Sequence, residues 1–370
     1  MKYLQKLFEI ENAYCNTDEC NEIFFYAIKE AFQFHYSNCE TYRKICEMED
    51  FTPDNLQSHS DIPHIPHIMV NAFKWYTLKS MPDEKITFEF TSSGTSGQKS
   101  HILWDEESKK RQTLMRENIM KTLGLVSHEE VNYLIFAYAP EVSEKKGAAY
   151  AHQMYSTFAP AKEKFFAIRG NKYGMPFFDG EGVINKLLEY SKDKIPIRII
   201  GFPAFIHEAL TTMKERNIRL KFHEESLIIT AGGWKDKEEK KIPIEVFKEE
   251  IETYLGIPGS RLRDIYGFVE HGVPYITCSK GHFHIPIYSR AFARKPGSLE
   301  LLPPGEKGLL HVITPYNLAQ PSLSVLSTDY VKIHKNCGCG IETDYIELLG
   351  RAGVKKHHGC ALTATELLKK

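Results

Sequence analysis

Apolar side chains recur at helical spacing early in the chain. Between residues 20 and 47, Ile23, Phe24, Ala27, Ile28, Ala31 and Phe32 form one stripe with polar residues between them. A repeat near 3.6 residues of this kind predicts amphipathic helix, and roughly the first 80 residues read as mostly helical. The segment Asp61-Ile-Pro-His-Ile-Pro-His67 interrupts the pattern. Its two prolines remove backbone donors and restrict the residues before them, so it reads as an extended connector. From about residue 85 short apolar runs alternate with helical stretches. The runs predict strands at 87–90, 133–138, 197–200, 227–230 and 309–314, and the stretches between predict helices at 105–122, 183–191 and 244–255. Strand–helix alternation implies an α/β fold whose sheet is covered on both faces. In such sheets ligands bind beyond the carboxyl ends of the strands, so the loops after strands are where chemistry is expected. No internal repeat or low-complexity segment breaks the pattern.

Composition narrows the class. Hydrophobic residues make up 42% of the 370 positions, which excludes a disordered or fibrous chain. Lys and Arg number 47 against 48 Asp and Glu, so no overall basic footprint invites nucleic acid. No apolar run approaches the ~20 residues of a membrane span. Lys6, Glu9 and Glu11 interrupt the N-terminus, which lacks the apolar stretch of a secretory signal. The eight cysteines, unevenly spaced, then read as thiols or metal ligands and not as a disulfide framework, and the protein is expected in the cytoplasm. Cys39 and Cys46, within the helical region, read as core or boundary thiols and not as metal ligands.

Candidate chemistry begins at Thr91-Ser-Ser-Gly-Thr-Ser-Gly-Gln-Lys-Ser100, directly after a predicted strand. Gly94 and Gly97 let the backbone turn tightly, while Ser92, Ser93, Thr95 and Ser96 offer hydroxyls and N–H groups to phosphate oxygens. Lys99 adds a point charge for the same anion. Only three residues, Thr95, Ser96 and Gly97, separate Gly94 from Gln98-Lys99, so the Walker A spacing is absent. A Ser/Gly-rich hairpin turn is the plain alternative.

This loop resembles the phosphate loop of the adenylate-forming enzymes, which activate carboxylic acids with ATP. Further motifs follow in that family's order. Ala231-Gly-Gly-Trp234 resembles the glycine-rich segment lining the adenine and acyl pocket, which implies nucleotide-site roles for Gly232, Gly233 and Trp234. Asp264-Ile-Tyr-Gly-Phe-Val-Glu270 resembles the segment in which an aromatic, here Tyr266 followed by Gly267, stacks on adenine and a glutamate, here Glu270, is linked to Mg²⁺. Threonine is usual before that glutamate, and here the residue is Val269. Ser327-Thr-Asp329 resembles the ribose-holding motif, and Leu349-Gly-Arg351 the hinge motif. Residue chemistry permits each role: a carboxylate suits a hard cation, and Asp329 accepts hydrogen bonds from hydroxyls. Each residue alone also fits a core tyrosine, a solvated glutamate or a turn aspartate. Their order carries the resemblance.

Typical members continue past the hinge into a mobile lid with a catalytic lysine, whereas nineteen residues follow Arg351 here. The expected organisation is a large adenylate-forming domain over 1–350, with 1–80 mostly helical, and a tail over 351–370, the lid being missing or reduced to that tail. Lys355, Lys356, Lys369 or Lys370 would then replace the lid lysine, or Lys99 would carry more of the charge. One short branch is the acyl-protein synthetase (LuxE) family of bacterial luminescence, grouped with phenylacetate-CoA-ligase-like enzymes. Asp61-Ile-Pro with Phe73-Lys74 resembles its connector, and His358-Gly-Cys-Ala-Leu-Thr363 with Glu366 its acyl-accepting segment. The resemblance implies activation of a long-chain fatty acid as acyl-AMP, transfer to Cys360, and delivery to an acyl-CoA-reductase-like partner. Lys355, Lys356, His357 and His358 near Cys360 favour a thiolate nucleophile. An unreactive tail thiol is the alternative.

Cys278 and His284, at Cys-x5-His spacing, together with Cys337-Gly-Cys339 supply three sulfurs and one imidazole, a set suited to tetrahedral structural Zn²⁺, with His282 as an alternative to His284. Four unrelated residues are the other reading. Comparable positions occur in the phenylacetate-CoA-ligase-like branch, but the cysteine pair is not typical of the luminescence enzymes. The rival functions are an arylcarboxylate or acid–CoA ligase without a cysteine intermediate, a cysteine hydrolase using Cys360, and a zinc-stabilised binding protein. The first shares the ATP step. The other two leave the phosphate loop unexplained.

Overall fold

The computed structural model describes residues 1–91, 99–142, 154–234 and 241–351. The N-terminal layer is α1 (Lys2–Glu9), α2 (Asp18–Asn38) and α3 (Glu40–Met48). The Thr17 hydroxyl caps α2 by accepting from the Cys20 N–H, with Asp18 and Glu19 favourably placed at the positive end of the helix. The stripe residues Phe24, Ala27, Ile28, Ala31 and Phe32 are all buried, as are Cys39 and Cys46. Cys15 and Cys20 are joined as a disulfide, which corrects the reading of every cysteine as a thiol or metal ligand.

Beyond Met48 regular helix gives way to 3-10 turns at Pro53–Asn55 and His59–His64. The expected extended connector is therefore helical in its first half. Asp61 holds this turn by accepting from the N–H groups of Gln57 and Ser58, and the i→i+3 pattern accommodates Pro63, which has no N–H to offer. Extended backbone follows at β1 (Ile68–Met69).

A hairpin of β2 (Phe88–Thr91) and β3 (His101–Trp104) stands apart from the larger sheets. The predicted strand at 87–90 exists, but it belongs to this hairpin and not to the main sheet. Thr91 pairs with His101, so the Ser/Gly-rich loop leaves and returns at one point. Helix α4 (Glu106–Thr122) follows, with the Asp105 carboxylate accepting from the Ser108 N–H.

The main sheet contains β4 (Val131–Tyr138), β5 (Ala161–Gly170), β6 (Pro176–Phe178), β7 (Ile197–Gly201), β8 (Leu227–Ala231), β9 (Leu262–Tyr266) and β10 (Tyr275–Ile276). Their order is β10-β9-β8-β7-β4-β5-β6. The five central strands are parallel and the two edge pairings antiparallel. Every residue of β4 and β7 is buried, so both faces of these strands are covered, as their largely apolar runs require, and the buried exceptions Asn132 and Arg198 bond to Asp193 and to the Leu125 carbonyl. The crossovers supply α5 (Gly180–Tyr190), α6 (Pro203–Glu215) and α7 (Ile244–Leu255), with α5 against β4 and β5 and α6 between α5 and α7.

The second sheet holds β11 (Phe283–His284), β12 (Arg290–Arg294), β13 (Gly308–Ile313), β14 (Ser324–His334) and β15 (Tyr345–Arg351), antiparallel in the order β11-β15-β14-β13-β12, with β1 beside β14. The strand expected at 309–314 is β13 and lies here. Among the described residues no helix is long and apolar enough to cross a membrane.

Candidate active site

The parallel strands end along one edge of the main sheet, and two of the sequence motifs leave from it side by side. Ala231, the last residue of β8, pairs with Ile265, so Gly232-Gly233 emerges beside Tyr266. Both glycines have left-handed backbone, with φ of +86° and +65°. A Cβ on Gly232 would lie 2.9 Å from the ring of Phe202, which is buried at the head of α6. Only glycine permits that approach. Trp234 leans toward the helices, its ring 5.6 Å from His207 on α6 and 5.8 Å from Phe247 on α7.

Tyr266 joins the two sheets. Its ring stacks on Tyr275 at 6.0 Å, and its hydroxyl donates to Oδ2 of Asp329 at 2.7 Å. Burial, reinforced by the Asp329 carboxylate, pushes the Tyr266 phenol well above its ordinary range, so it remains a donor. Asp329 sits on β14 directly across from Arg351 on β15. The Arg351 Nε donates to Oδ1 at 3.1 Å, and the Ser327 hydroxyl donates to Oδ2 at 3.1 Å while accepting from the Asp329 N–H at 3.0 Å. Oδ2 thus receives two donors and Oδ1 one. A vicinal diol approaching this carboxylate would share Oδ1 or displace the half-exposed Arg351 side chain.

Glu270 is 6% exposed. Desolvation raises its carboxyl, while a hydrogen bond from Ser100 and the nearby charges of Lys74 and Arg351 oppose that rise. Ser100 is the last residue of the Ser/Gly-rich segment, so the exit of that loop touches Glu270, and Glu270 lies in the field of Arg351. Lys99 is exposed. Gly267, also exposed, passes close to the Val273 carbonyl, 3.3 Å from where a Cβ would stand. Ser92, Ser93, Gly94, Thr95, Ser96, Gly97 and Cys360 lie outside the described residues, as do Lys355, Lys356, Lys369 and Lys370.

One half-buried group, quoted in the sequence only as the start of its motif, was given no role there. The Asp264 carboxylate accepts from the Thr230 hydroxyl at 2.8 Å, and desolvation pushes it up to about 6. An acidic residue inside the run Leu262–Tyr266 was the available signal.

The Cys/His set gathers as its spacing suggested. One ligand atom from each of Cys278, His284, Cys337 and Cys339 lies within 4.8 Å of the others. His284 occupies the fourth corner, and His282 instead places Nδ1 2.9 Å from the Cys337 sulfur.

The family model described as acyl-protein synthetase, LuxE, matches residues 6–369. A long-chain-fatty-acid–luciferin-component ligase of Aliivibrio fischeri is 28% identical over 359 residues, covering 95% of this chain and 90% of that protein. A protein of the same name from Vibrio harveyi is 24% identical over 343 residues, covering 92% and 86% respectively. Among solved structures, 2-hydroxyisobutyryl-CoA ligase in the postadenylation state with 2-HIB-AMP matches with a TM-score of 0.65 at 14% identity, covering 90% of this chain and 68% of that one. Its open conformation with 2-HIB-AMP and CoA gives 0.63 at 15% identity, covering 92% and 76%. At these identities the likeness establishes the fold, that of the large domain of adenylate-forming ligases.

Proposed function

Since the chain belongs to the acyl-protein synthetase (LuxE) family and is a ligase of the adenylate-forming type, we propose that it charges a long-chain fatty acid with ATP and passes the acyl group through its own Cys360 to a partner reductase. The observation that carries this reading is the hydrogen-bonded set Tyr266–Asp329–Arg351 at the mouth of the parallel sheet, reached from one side by Gly232-Gly233 and from the other by Glu270 and Ser100.

In this reading the face of Tyr266 receives adenine, with the backbone of Gly232-Gly233 and Gly267 allowing close approach and Trp234 bordering the pocket. Asp329 accepts from the ribose. The loop of Ser92, Ser93, Gly94, Thr95, Ser96 and Gly97, followed by Lys99, grips the phosphates through N–H groups and hydroxyls. Glu270 has the chemistry to hold Mg²⁺, being a desolvated carboxylate beside the Ser100 hydroxyl, and such an ion supplies positive charge for the phosphates. Arg351 steadies the Asp329 carboxylate.

Two half-reactions follow. The fatty-acid carboxylate attacks the α-phosphorus of ATP and pyrophosphate leaves, giving acyl-AMP. The Cys360 thiolate then attacks the anhydride carbonyl, AMP leaves, and a thioester forms. The reductase takes the acyl group from that thioester. Incubation with radioactive fatty acid and ATP tests the assignment. Wild-type protein retains covalent label, whereas Cys360→Ser exchanges pyrophosphate into ATP and retains none. Label retained by Cys360→Ser would contradict it, and acyl-CoA formation without labelled protein would favour the acid–CoA ligase reading.

A further inference from the structure

Cys278, Cys337 and Cys339 come from two turns far apart in sequence, and His284 from the strand that follows the first of them. In the first, the Cys278 N–H donates to the His282 carbonyl at 3.0 Å and the Gly281 N–H to the Cys278 carbonyl at 3.0 Å, with Gly281 at φ +85°. In the second, Asn336, Gly338 and Gly340 all take left-handed backbone, with φ of +58°, +70° and +97°, which curls Cys337-Gly-Cys339 into a tight knuckle. The Cys278 and Cys337 sulfurs approach to 3.7 Å, and the Cys339 sulfur stands 3.3 Å from His284 Nε2. His284 Nδ1 lies 2.9 Å from the Thr343 carbonyl. A carbonyl only accepts, so Nδ1 carries the proton and Nε2 presents its lone pair to the three sulfurs. His282 stacks flat on Tyr345 at 4.4 Å with Nδ1 2.9 Å from the Cys337 sulfur, the position of a donor to a thiolate and not of a fourth ligand.

We propose that these four residues hold one structural zinc ion and that the ion fixes the strands bearing Tyr266, Asp329 and Arg351. Three thiolates and one neutral imidazole match the preference of zinc, and four protein ligands leave no open position for catalysis. The connection to the active site is through strand register. Tyr275, which pairs with Tyr266, precedes Cys278 by three residues. Cys337 and Cys339 occupy the turn between β14 and β15, whose pairing runs from His334 opposite Tyr345 beside that turn to Asp329, midway along β14, opposite Arg351 at the end of β15. His284 lies on β11, where it pairs with Tyr345 at the start of β15. One ion at this corner therefore ties β10, β11 and the β14–β15 hairpin together. Zinc occupancy stands on the geometry alone, whereas the effect on nucleotide rests on the function proposed above.

The test uses the full chain, purified under reducing conditions without chelator. Metal analysis should find one zinc per chain in wild type and in Cys39→Ala, and little in Cys337→Ser or Cys339→Ser. Cobalt(II) replacing zinc should give intense visible bands and thiolate charge-transfer absorption, both absent from the two Ser variants. His282→Ala should retain the bands and bind metal about tenfold more weakly. Chelation should lower the melting temperature and weaken ATP binding several-fold by calorimetry, both restored by zinc. Metal-free wild type that also gives no cobalt spectrum overturns the site. Zinc present, with ATP affinity unaltered by its removal, overturns the link to the nucleotide residues. Failure to bind ATP in the zinc-loaded protein would count against the adenylation reading and leave the metal site standing.

Discussion

The phenol oxygen of Tyr266, at the end of a parallel-sheet strand, donates a 2.7 Å hydrogen bond to Oδ2 of Asp329 on a strand of the antiparallel sheet. The two residues belong to separate layers, and this bond sets the distance between an aromatic face and a carboxylate. A nucleoside needs both, one for its base and one for its sugar. Tyr266→Phe keeps the face and removes the tie. Hydrogen bonds to charged groups are worth about 1.5–3 kcal/mol, so ATP affinity should fall about tenfold or more in Tyr266→Phe. Asp329→Ala removes the acceptor itself and should cost about 10- to 100-fold. Calorimetric titration with ATP checks both values, and an unchanged affinity in Asp329→Ala would remove that residue from the site.

The two glycines after β8 should differ in tolerance. Gly232→Ala combines left-handed backbone with a Cβ 2.9 Å from the buried Phe202 ring. Gly233→Ala has the same backbone strain but open space around it. Left-handed backbone costs a non-glycine residue about 1–2 kcal/mol, and the clash at Gly232 adds to that cost. Thermal melts should therefore rank wild type above Gly233→Ala and Gly233→Ala above Gly232→Ala. Equal melting temperatures for the two variants would mean that the Phe202 ring yields freely.

Asp264 makes stability depend on pH. Desolvation is the largest influence and raises its carboxyl from 3.8 to about 6, against the opposing hydrogen bond from Thr230. The folded chain therefore holds this proton more tightly than the unfolded chain. The stabilisation is complete below the unfolded value and is lost as pH rises through about 6. Asp264→Asn cannot ionise. It should match wild type in stability near pH 3.8 and exceed it by about 3 kcal/mol at pH 8. Denaturant melts at the two pH values measure the difference, and the same offset at both would indicate a packing effect instead.

Much of the main sheet was legible in the sequence because its strands are buried on both faces. The apolar runs at 133–138, 197–200 and 227–230 correspond to β4, β7 and β8. The helix at 244–255 has the observed bounds, since Phe247, Ile251 and Leu255 repeat on one face and Gly256 adopts left-handed backbone to end it. The strand β14 was hidden. Its second half alternates buried and half-buried residues, and Ser327, Thr328, Asp329 and Lys332 break the apolar pattern. Order along the chain also does not reveal which sheet a strand joins, which is why β2 and β13 fell outside the expected one. At the candidate site, motif order singled out Tyr266, Asp329, Glu270 and Arg351 individually. The hydrogen bond between Tyr266 and Asp329 spans 63 positions and depends on how two sheets pack, which local pattern does not encode. The Cys/His set was more visible, because few arrangements of three sulfurs and an imidazole serve any purpose but a metal.

The most direct measurement is ATP–pyrophosphate exchange by the purified full chain across a series of saturated fatty acids and aromatic acids, in the presence of magnesium. Exchange that requires a long-chain fatty acid, and that persists in Cys360→Ser, is the predicted result. No exchange with any acid, in a protein that is folded and thermally cooperative, would contradict the account.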